Sequence, residues 1–200
     1  TSAGPGEGKT TVVANLGIAL AQAGKKTLLF DTDLRRPALY KMFGIDDAVG
    51  LTSLLTGEEA LGHAIQATKQ PNLYLLPTGP LPSNPSELLG SKKMKELVAF
   101  LEPNFDTILF DSPPATLAAD ASVLATLVDG VLLVIQVGAQ PAQMLRRVKE
   151  QLETVKAHLI GAILNRVDFK RDGYYYGYYY KYYHRYGYRY GEDREEPEEE

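Results

Sequence analysis

The stretch Ala3-Gly4-Pro5-Gly6-Glu7-Gly8-Lys9-Thr10, running straight into Thr11-Val12-Val13-Ala14-Asn15-Leu16, decides the fold. Closely spaced glycines let backbone N–H groups converge on an anion, and the helix that starts at Lys9 adds its positive end. The run matches the phosphate-loop pattern, with Ala3 in place of the usual first glycine. In that pattern the lysine, here Lys9, reaches the β/γ oxygens of a nucleotide, and the hydroxyl of Thr10 can bind Mg²⁺. The expected cradle is Gly4, Pro5, Gly6, Glu7, Gly8, Lys9, Thr10 and Thr11. The alternative, a glycine-rich turn before an amphipathic helix, gives no reason for Gly-Lys-Thr to stand at the helix start.

A phosphate loop needs a strand before it and a parallel sheet around it. Short apolar runs predict strands at Thr27–Phe30, Asn72–Leu76, Thr107–Phe110, Val131–Val137 and Leu159–Leu164, each apolar on both faces as parallel sheets require. Helix-period segments fall between them at Lys9–Ala23, Glu59–Ala67, Pro85–Leu101, Ala118–Val128 and Pro141–Ala157. The alternation predicts an α/β fold, a doubly wound and mostly parallel sheet covered on both sides. Thr1-Ser2 can supply only the end of the strand before the loop, so the expectation is an excerpt of a longer protein with that strand largely missing.

Two further positions aim at the same edge of the sheet. Leu28-Leu29-Phe30-Asp31-Thr32-Asp33 and Ile108-Leu109-Phe110-Asp111 both end an apolar strand in an aspartate. Such carboxylates lie at the carboxyl ends of the strands, where ligands bind in these folds. Asp111 is the expected metal carboxylate, direct or through water. Taken singly, either aspartate could equally be a helix N-cap. Asn165 follows the last strand to the same edge, where an adenine hydrogen bond and an Asx turn fit it equally. His63 and His158 have no Cys, His or spaced acidic partner that suggests zinc.

Composition divides the chain. It has 200 residues, no cysteine and a net charge of −4, which excludes a disulfide-held secreted scaffold, and no apolar run approaches the roughly 20 residues of a membrane span. Eleven of its 13 tyrosines stand between Tyr174 and Tyr190. Residues 170–200 contain no Leu, Ile, Val, Met or Phe, so they cannot bury an apolar face, and the expected division is 1–169 and 170–200. Within the tail, 170–190 carries net charge +4 and 191–200 carries −6.

These residues resemble the bacterial tyrosine kinases that govern capsule and exopolysaccharide export, which share their fold with the MinD/ParA partition and cell-division-site ATPases. The loop Ala3–Thr10, the stretch Leu28–Pro37, the segment Leu76–Leu89, the stretch Ile108–Pro114 and the terminal tyrosine cluster carry the likeness in the same order. The resemblance implies an enzyme using ATP and Mg²⁺. Lys9 and Thr10 hold the β/γ-phosphates and the metal, and Asp31 and Asp33 serve the acceptor hydroxyl and metal, with Asp31 the expected base. Asp111 orients the metal shell, and Arg35 takes the basic position of the second stretch. A tyrosine hydroxyl with a pKa of about 10 needs such a base or a polarising environment to attack at neutral pH.

The resemblance also makes the tail the substrate. Tyr174, Tyr175, Tyr176, Tyr178, Tyr179, Tyr180, Tyr182, Tyr183, Tyr186, Tyr188 and Tyr190 are the expected phosphoacceptors, modified between subunits. A flexible chain of about 20 residues spans roughly 25 Å and stretches to about 66 Å, far enough to reach a neighbouring site. Roughly three phosphotyrosines, at about −1.5 to −2 each, would reverse the charge of 170–190. Implied partners are further copies of the chain, a transmembrane activator of the polysaccharide co-polymerase type, fused or separate, and a phosphotyrosine phosphatase, with no nucleic acid. The family's ring-forming helix would lie before Thr1. The implied location is cytoplasmic, at the inner face of the membrane. The rival readings are a positioning ATPase, which would carry a second lysine where Gly4 stands, a non-catalytic nucleotide-binding scaffold, and a Tyr/Gly-rich tail that stacks on nucleic-acid bases.

Overall fold

Thr27–Asp31 (β1) is buried at every position, and it forms the middle of a four-stranded sheet in the computed structural model, which describes residues 1–168. Leu28 and Phe30 point into one cluster with Leu76, Leu89, Met94 and Leu101. Leu29, one residue out of phase, points into another with Ala14, Ala21, Leu39, Leu73 and Leu75. Alternation with period two thus meets apolar cover on both faces, which is why the run reads as continuously hydrophobic. Leu73–Leu76 (β3) and Thr107–Asp111 (β4) pair parallel to β1 on either side. A two-residue strand, Gln66–Ala67 (β2), closes one edge antiparallel to β3.

A second sheet holds Val131–Gln136 (β5) parallel to Leu159–Asn165 (β6). Thr1 and Ser2, which lead into the phosphate loop, lie between β5 and the segment after β4. Ser2 bridges parallel to Val134, the amide of Val134 donates to the Thr1 carbonyl at 2.8 Å, and that of Ala115 donates to Ser2 at 2.9 Å. A cavity of about 500 Å³ lies beside Thr1, with Val12, Leu16, Ile108, Phe110, Leu132 and Val134 among its walls.

The first helix, Lys9–Gln22 (α1), packs so closely over β1 that a Cβ at Gly17 would lie 2.5 Å from Leu29 Cδ2. Leu39–Phe43 (α2) and Leu51–Thr56 (α3) follow β1. Both are too short for the period of a helix to register in sequence, and both end at a left-handed glycine, Gly44 and Gly57. The expected helix 59–67 is instead Leu61–Ala64 (α4) followed by β2, because the chain turns extended at Ile65 to pair with β3. The expected helix 85–101 is two helices, Pro85–Leu89 (α5) and Lys92–Leu101 (α6). Ser91 caps the second by accepting the Met94 amide at 3.1 Å, a Gly90-Ser91 break that outweighs the apolar periodicity running through it. Asp120–Ala125 (α7) and Ala142–Thr154 (α8) are shorter than the expected 118–128 and 141–157.

Cover is incomplete at β4, where residues 107–110 are half-buried, and fails on one face of β6. Ile160, Ala162 and Leu164 of β6 are exposed and alternate with half-buried residues, since no described element packs on that face. Thr1–Asn165 forms one compact unit. No helix among the described residues is long and apolar enough to cross a membrane. The tyrosine cluster lies outside the described residues.

Candidate nucleotide and phosphoryl-transfer site

The functional residues named at the sheet edge are delivered by strand ends, by the loop after β1, and by the loop and first turn of α1. Gly8, the N-cap of α1, has φ 92°, and Gly6 has φ 75°, a backbone open to glycine and strained for side-chain-bearing residues. Room is short as well: a Cβ on Gly8 would lie 2.2 Å from Asn165 Nδ2. Lys9 is buried, Pro5, Gly6 and Thr11 are exposed, and Thr10 is half-buried at the first turn.

The side chain of Glu7 does work that the loop motif does not specify. Its side chain is 1% exposed and turned inward. Oε1 accepts the Gly4 amide in a short contact, and Oε2 accepts the Gln136 amide at 3.0 Å. The loop is therefore tied to the end of β5 by a carboxylate of its own. Asn165 does similar work from β6: its Nδ2 donates to the Glu7 carbonyl at 2.8 Å. Nothing in the sequence foretells either tie, because they join Glu7 to positions 129 and 158 residues away.

The acidic residues converge closely. Asp31 and Asp111 are register partners at the ends of adjacent parallel strands, so their side chains leave the sheet on the same face. The Thr32 amide and hydroxyl both donate to the Asp111 carbonyl, at 2.9 and 2.6 Å, locking the two tips together. Asp31 is fully buried, and burial, with Asp111 beside it, raises its carboxyl to about 7. Its Oδ2 accepts the amides of Ala38 at 3.3 Å and Leu39 at 3.2 Å, and its Oδ1 that of Asp33 at 3.3 Å. Burial also raises Asp111, while the Thr10 hydroxyl and Lys9 pull it the other way. Asp33 accepts the amides of Arg35 at 3.3 Å and Arg36 at 3.0 Å on Oδ1, which leaves Oδ2 for a ligand.

One atom points to a cation. Asp111 Oδ1 is buried and has no hydrogen-bond partner. A buried orphan carboxylate oxygen beside a loop built for phosphate fits Mg²⁺, which takes one or two protein oxygens and fills its other positions with phosphate and water. Among the described residues no group of three or more His, Cys, Asp or Glu is placed to hold a metal alone. That is consistent with such a shared shell and not with an all-protein cage.

The sequence profile of the AAA domain family matches residues 3–164. Tyrosine-protein kinase YwqD of Bacillus subtilis is 44% identical over 178 residues, covering 88% of this chain and 75% of the relative. Tyrosine-protein kinase CpsD of Streptococcus agalactiae is 38% identical over 169 residues, covering 84% and 74%. The chain belongs to the bacterial tyrosine kinases. Among solved structures, the VpsO kinase domain matches this kinase-family chain with a TM-score of 0.80 at 41% identity, over 84% of this chain and 83% of that one. The septum site-determining protein MinD of Pyrococcus horikoshii, complexed with Mg-ADP, matches with a TM-score of 0.69 at 32% identity, over 81% and 66%. The α/β phosphate-loop fold with MinD-type relatives is thus the one the sequence implies, and a relative solved with Mg-ADP supports nucleotide and Mg²⁺ binding by this fold.

Proposed function

We propose that the chain is an ATP-dependent, autophosphorylating protein-tyrosine kinase that transfers the γ-phosphoryl group of ATP to tyrosines of the 174–190 cluster of another copy. The observation that carries this reading is the register pair Asp31–Asp111 beside Lys9 and Thr10. Loop amides and Lys9 seat the β- and γ-phosphates and neutralise charge that builds on the transferring oxygens. Thr10 and Asp111, with Asp31 close by, would hold Mg²⁺, which supplies further neutralisation of the phosphate oxygens when bound.

The acceptor tyrosine gives its hydroxyl proton to the Asp31–Asp33 pair as its oxygen bonds to the γ-phosphorus and the bond to the β-phosphate oxygen breaks, leaving ADP. Asp31 is the proton acceptor in this reading because a carboxyl near 7 is matched to work at neutral pH. Asp33 Oδ2, which accepts neither of the two backbone amides held by Oδ1, receives the hydroxyl. Residues 1–169 act as the catalytic domain and 170–200 as the substrate tail. The exopolysaccharide or capsule context, a membrane activator at the inner face of the membrane and a phosphotyrosine phosphatase are taken from the family likeness.

The MinD likeness supports a second reading, a positioning ATPase without kinase activity. Against it stands Gly4, where such proteins would need a second lysine. A Cβ built there lies 2.3 Å from Gln140 Nε2, so a side chain at this position would have to displace Gln140. Incubation with Mg-ATP followed by mass spectrometry of the tail separates the readings. Phosphotyrosine within 174–190, absent in Lys9→Met, is the expected result. Phosphate release with no phosphotyrosine favours the positioning ATPase and overturns the proposal.

A further inference from the structure

Three segments far apart in sequence meet at a buried carboxylate that the phosphoryl-transfer chemistry does not use. Asp120 opens α7 with its side chain fully buried. Arg35, in the loop after β1, donates Nε to Asp120 Oδ2 at 2.7 Å and Nη2 to Oδ1 at 3.3 Å. Ser86, in α5, donates its hydroxyl to Asp120 Oδ1 in a short contact and accepts Arg35 Nη2 at 3.4 Å. Every oxygen of the carboxylate is satisfied, and the Arg–carboxylate contact is two-pronged, the geometry that fixes orientation as well as charge.

What makes this more than a surface ion pair is where Arg35 sits in the backbone. The same residue whose side chain is held by Asp120 closes the turn around Asp33, donating its amide to Asp33 Oδ1 at 3.3 Å, with Arg36 beside it at 3.0 Å. The other end of the turn is held on Asp31 through the amides of Ala38 and Leu39. The loop is thus pinned at both ends by carboxylates, and its middle is pinned from outside by α7.

We infer that Asp120 is a positioning residue for phosphoryl transfer: through Arg35, and braced by Ser86, it holds the Asp33 turn in the geometry that receives the acceptor hydroxyl. The nucleotide seat lies on other elements, the loop before α1 and the ends of β5 and β6. Releasing the clasp therefore disturbs the acceptor side and leaves nucleotide binding in place. Misplacing a reacting group by about 1 Å can cost on the order of a hundredfold in rate.

The inference rests on the kinase reading, so the test carries one readout that does not. In Asp120→Asn, which keeps the shape and drops the charge, and in Arg35→Lys, which keeps the charge and loses the two-pronged contact, kcat for tail phosphorylation falls about tenfold or more. KM for ATP stays within about threefold, as expected where only the acceptor side is disturbed. Ser86→Ala loses less, and Asp120→Glu recovers part of the loss. Amide hydrogen exchange of the 31–39 segment speeds up in Asp120→Asn and Arg35→Lys, which melting curves show to be folded. Unchanged kcat, a loss confined to KM, or unchanged exchange over 31–39 overturns the positioning role. If the parent protein makes no phosphotyrosine, the kinase reading falls, and the exchange measurement still decides whether the clasp holds the loop.

Discussion

Removing the charge of Asp31 should make the nucleotide-free protein more stable at neutral pH. Asp31 lies fully buried against Asp111, and its carboxyl is raised from 3.8 to about 7. A group whose pKa is higher folded than unfolded gives stability that is present below about pH 4 and lost as pH rises through 7. A rise of that size corresponds to a ceiling of about 4 kcal/mol. Asp31→Asn escapes the loss, but its single side-chain oxygen cannot accept all three backbone N–H groups now shared between the two carboxylate oxygens, which costs about 1–2 kcal/mol. The net expectation at pH 8 is a gain of about 1–3 kcal/mol, read as a melting temperature higher by roughly 3–10 °C for a domain of this size. At pH 5 the gain disappears or reverses. Thermal unfolding from pH 5 to 8 in EDTA measures it, and millimolar Mg²⁺ should narrow the difference by supplying the missing positive charge. A variant less stable than the parent at pH 8, or a difference that does not change with pH, would refute the view of Asp31–Asp111 as a repelling buried pair. Kinase activity of the same variant should be lost, so stability and function move in opposite directions.

Three other outcomes follow from the same geometry. Asp111→Asn should abolish Mg²⁺-dependent tail phosphorylation while ADP without Mg²⁺ binds within about threefold of the parent by calorimetry, because the buried, unpartnered Oδ1 is the atom proposed to hold the cation and the phosphates are held by the loop. Glu7→Ala strands the Gly4 and Gln136 amides in a buried site and should weaken ATP binding about tenfold or more, an effect that unchanged affinity would disprove. Ser91→Ala removes the cap of α6 and should cost about 1 kcal/mol in urea unfolding with no change in kcat.

How far a sequence carries depends on whether a feature is local. The strands β1, β3, β4 and β5 were readable because each is a short apolar run, buried throughout in β1 and half-buried over most of β4, and the loop before α1 because phosphate binding needs glycine and lysine at fixed spacing. The register of Asp31 against Asp111 was also latent there: Thr27-Leu28-Leu29-Phe30-Asp31 and Thr107-Ile108-Leu109-Phe110-Asp111 have equal length, and Thr27 pairs with Thr107. The exposed face of β6 was not readable, since Leu159–Leu164 is as apolar as a strand covered on both sides. Neither was the clasp on Asp120, whose partner lies 85 residues away and whose own surroundings look like an ordinary helix start.

Asn165 shows how the two kinds of knowledge combine into a decisive test. From sequence its amide suits an adenine edge or a turn equally, and both depend only on its place after β6. The structure puts its Nδ2 on the Glu7 carbonyl at 2.8 Å and against the one face of Gly8 that a Cβ would fill. A brace of that kind acts on the loop, and the loop touches phosphates common to every nucleotide. Asn165→Ala should therefore weaken ATP and GTP alike, each by about fivefold to tenfold, if one hydrogen bond to a buried carbonyl is worth about 1 kcal/mol. An adenine contact would instead cost ATP alone and leave GTP unchanged. Equilibrium titration with fluorescent analogues of both nucleotides distinguishes them, and selective loss of ATP would return Asn165 to the base and take it away from the loop.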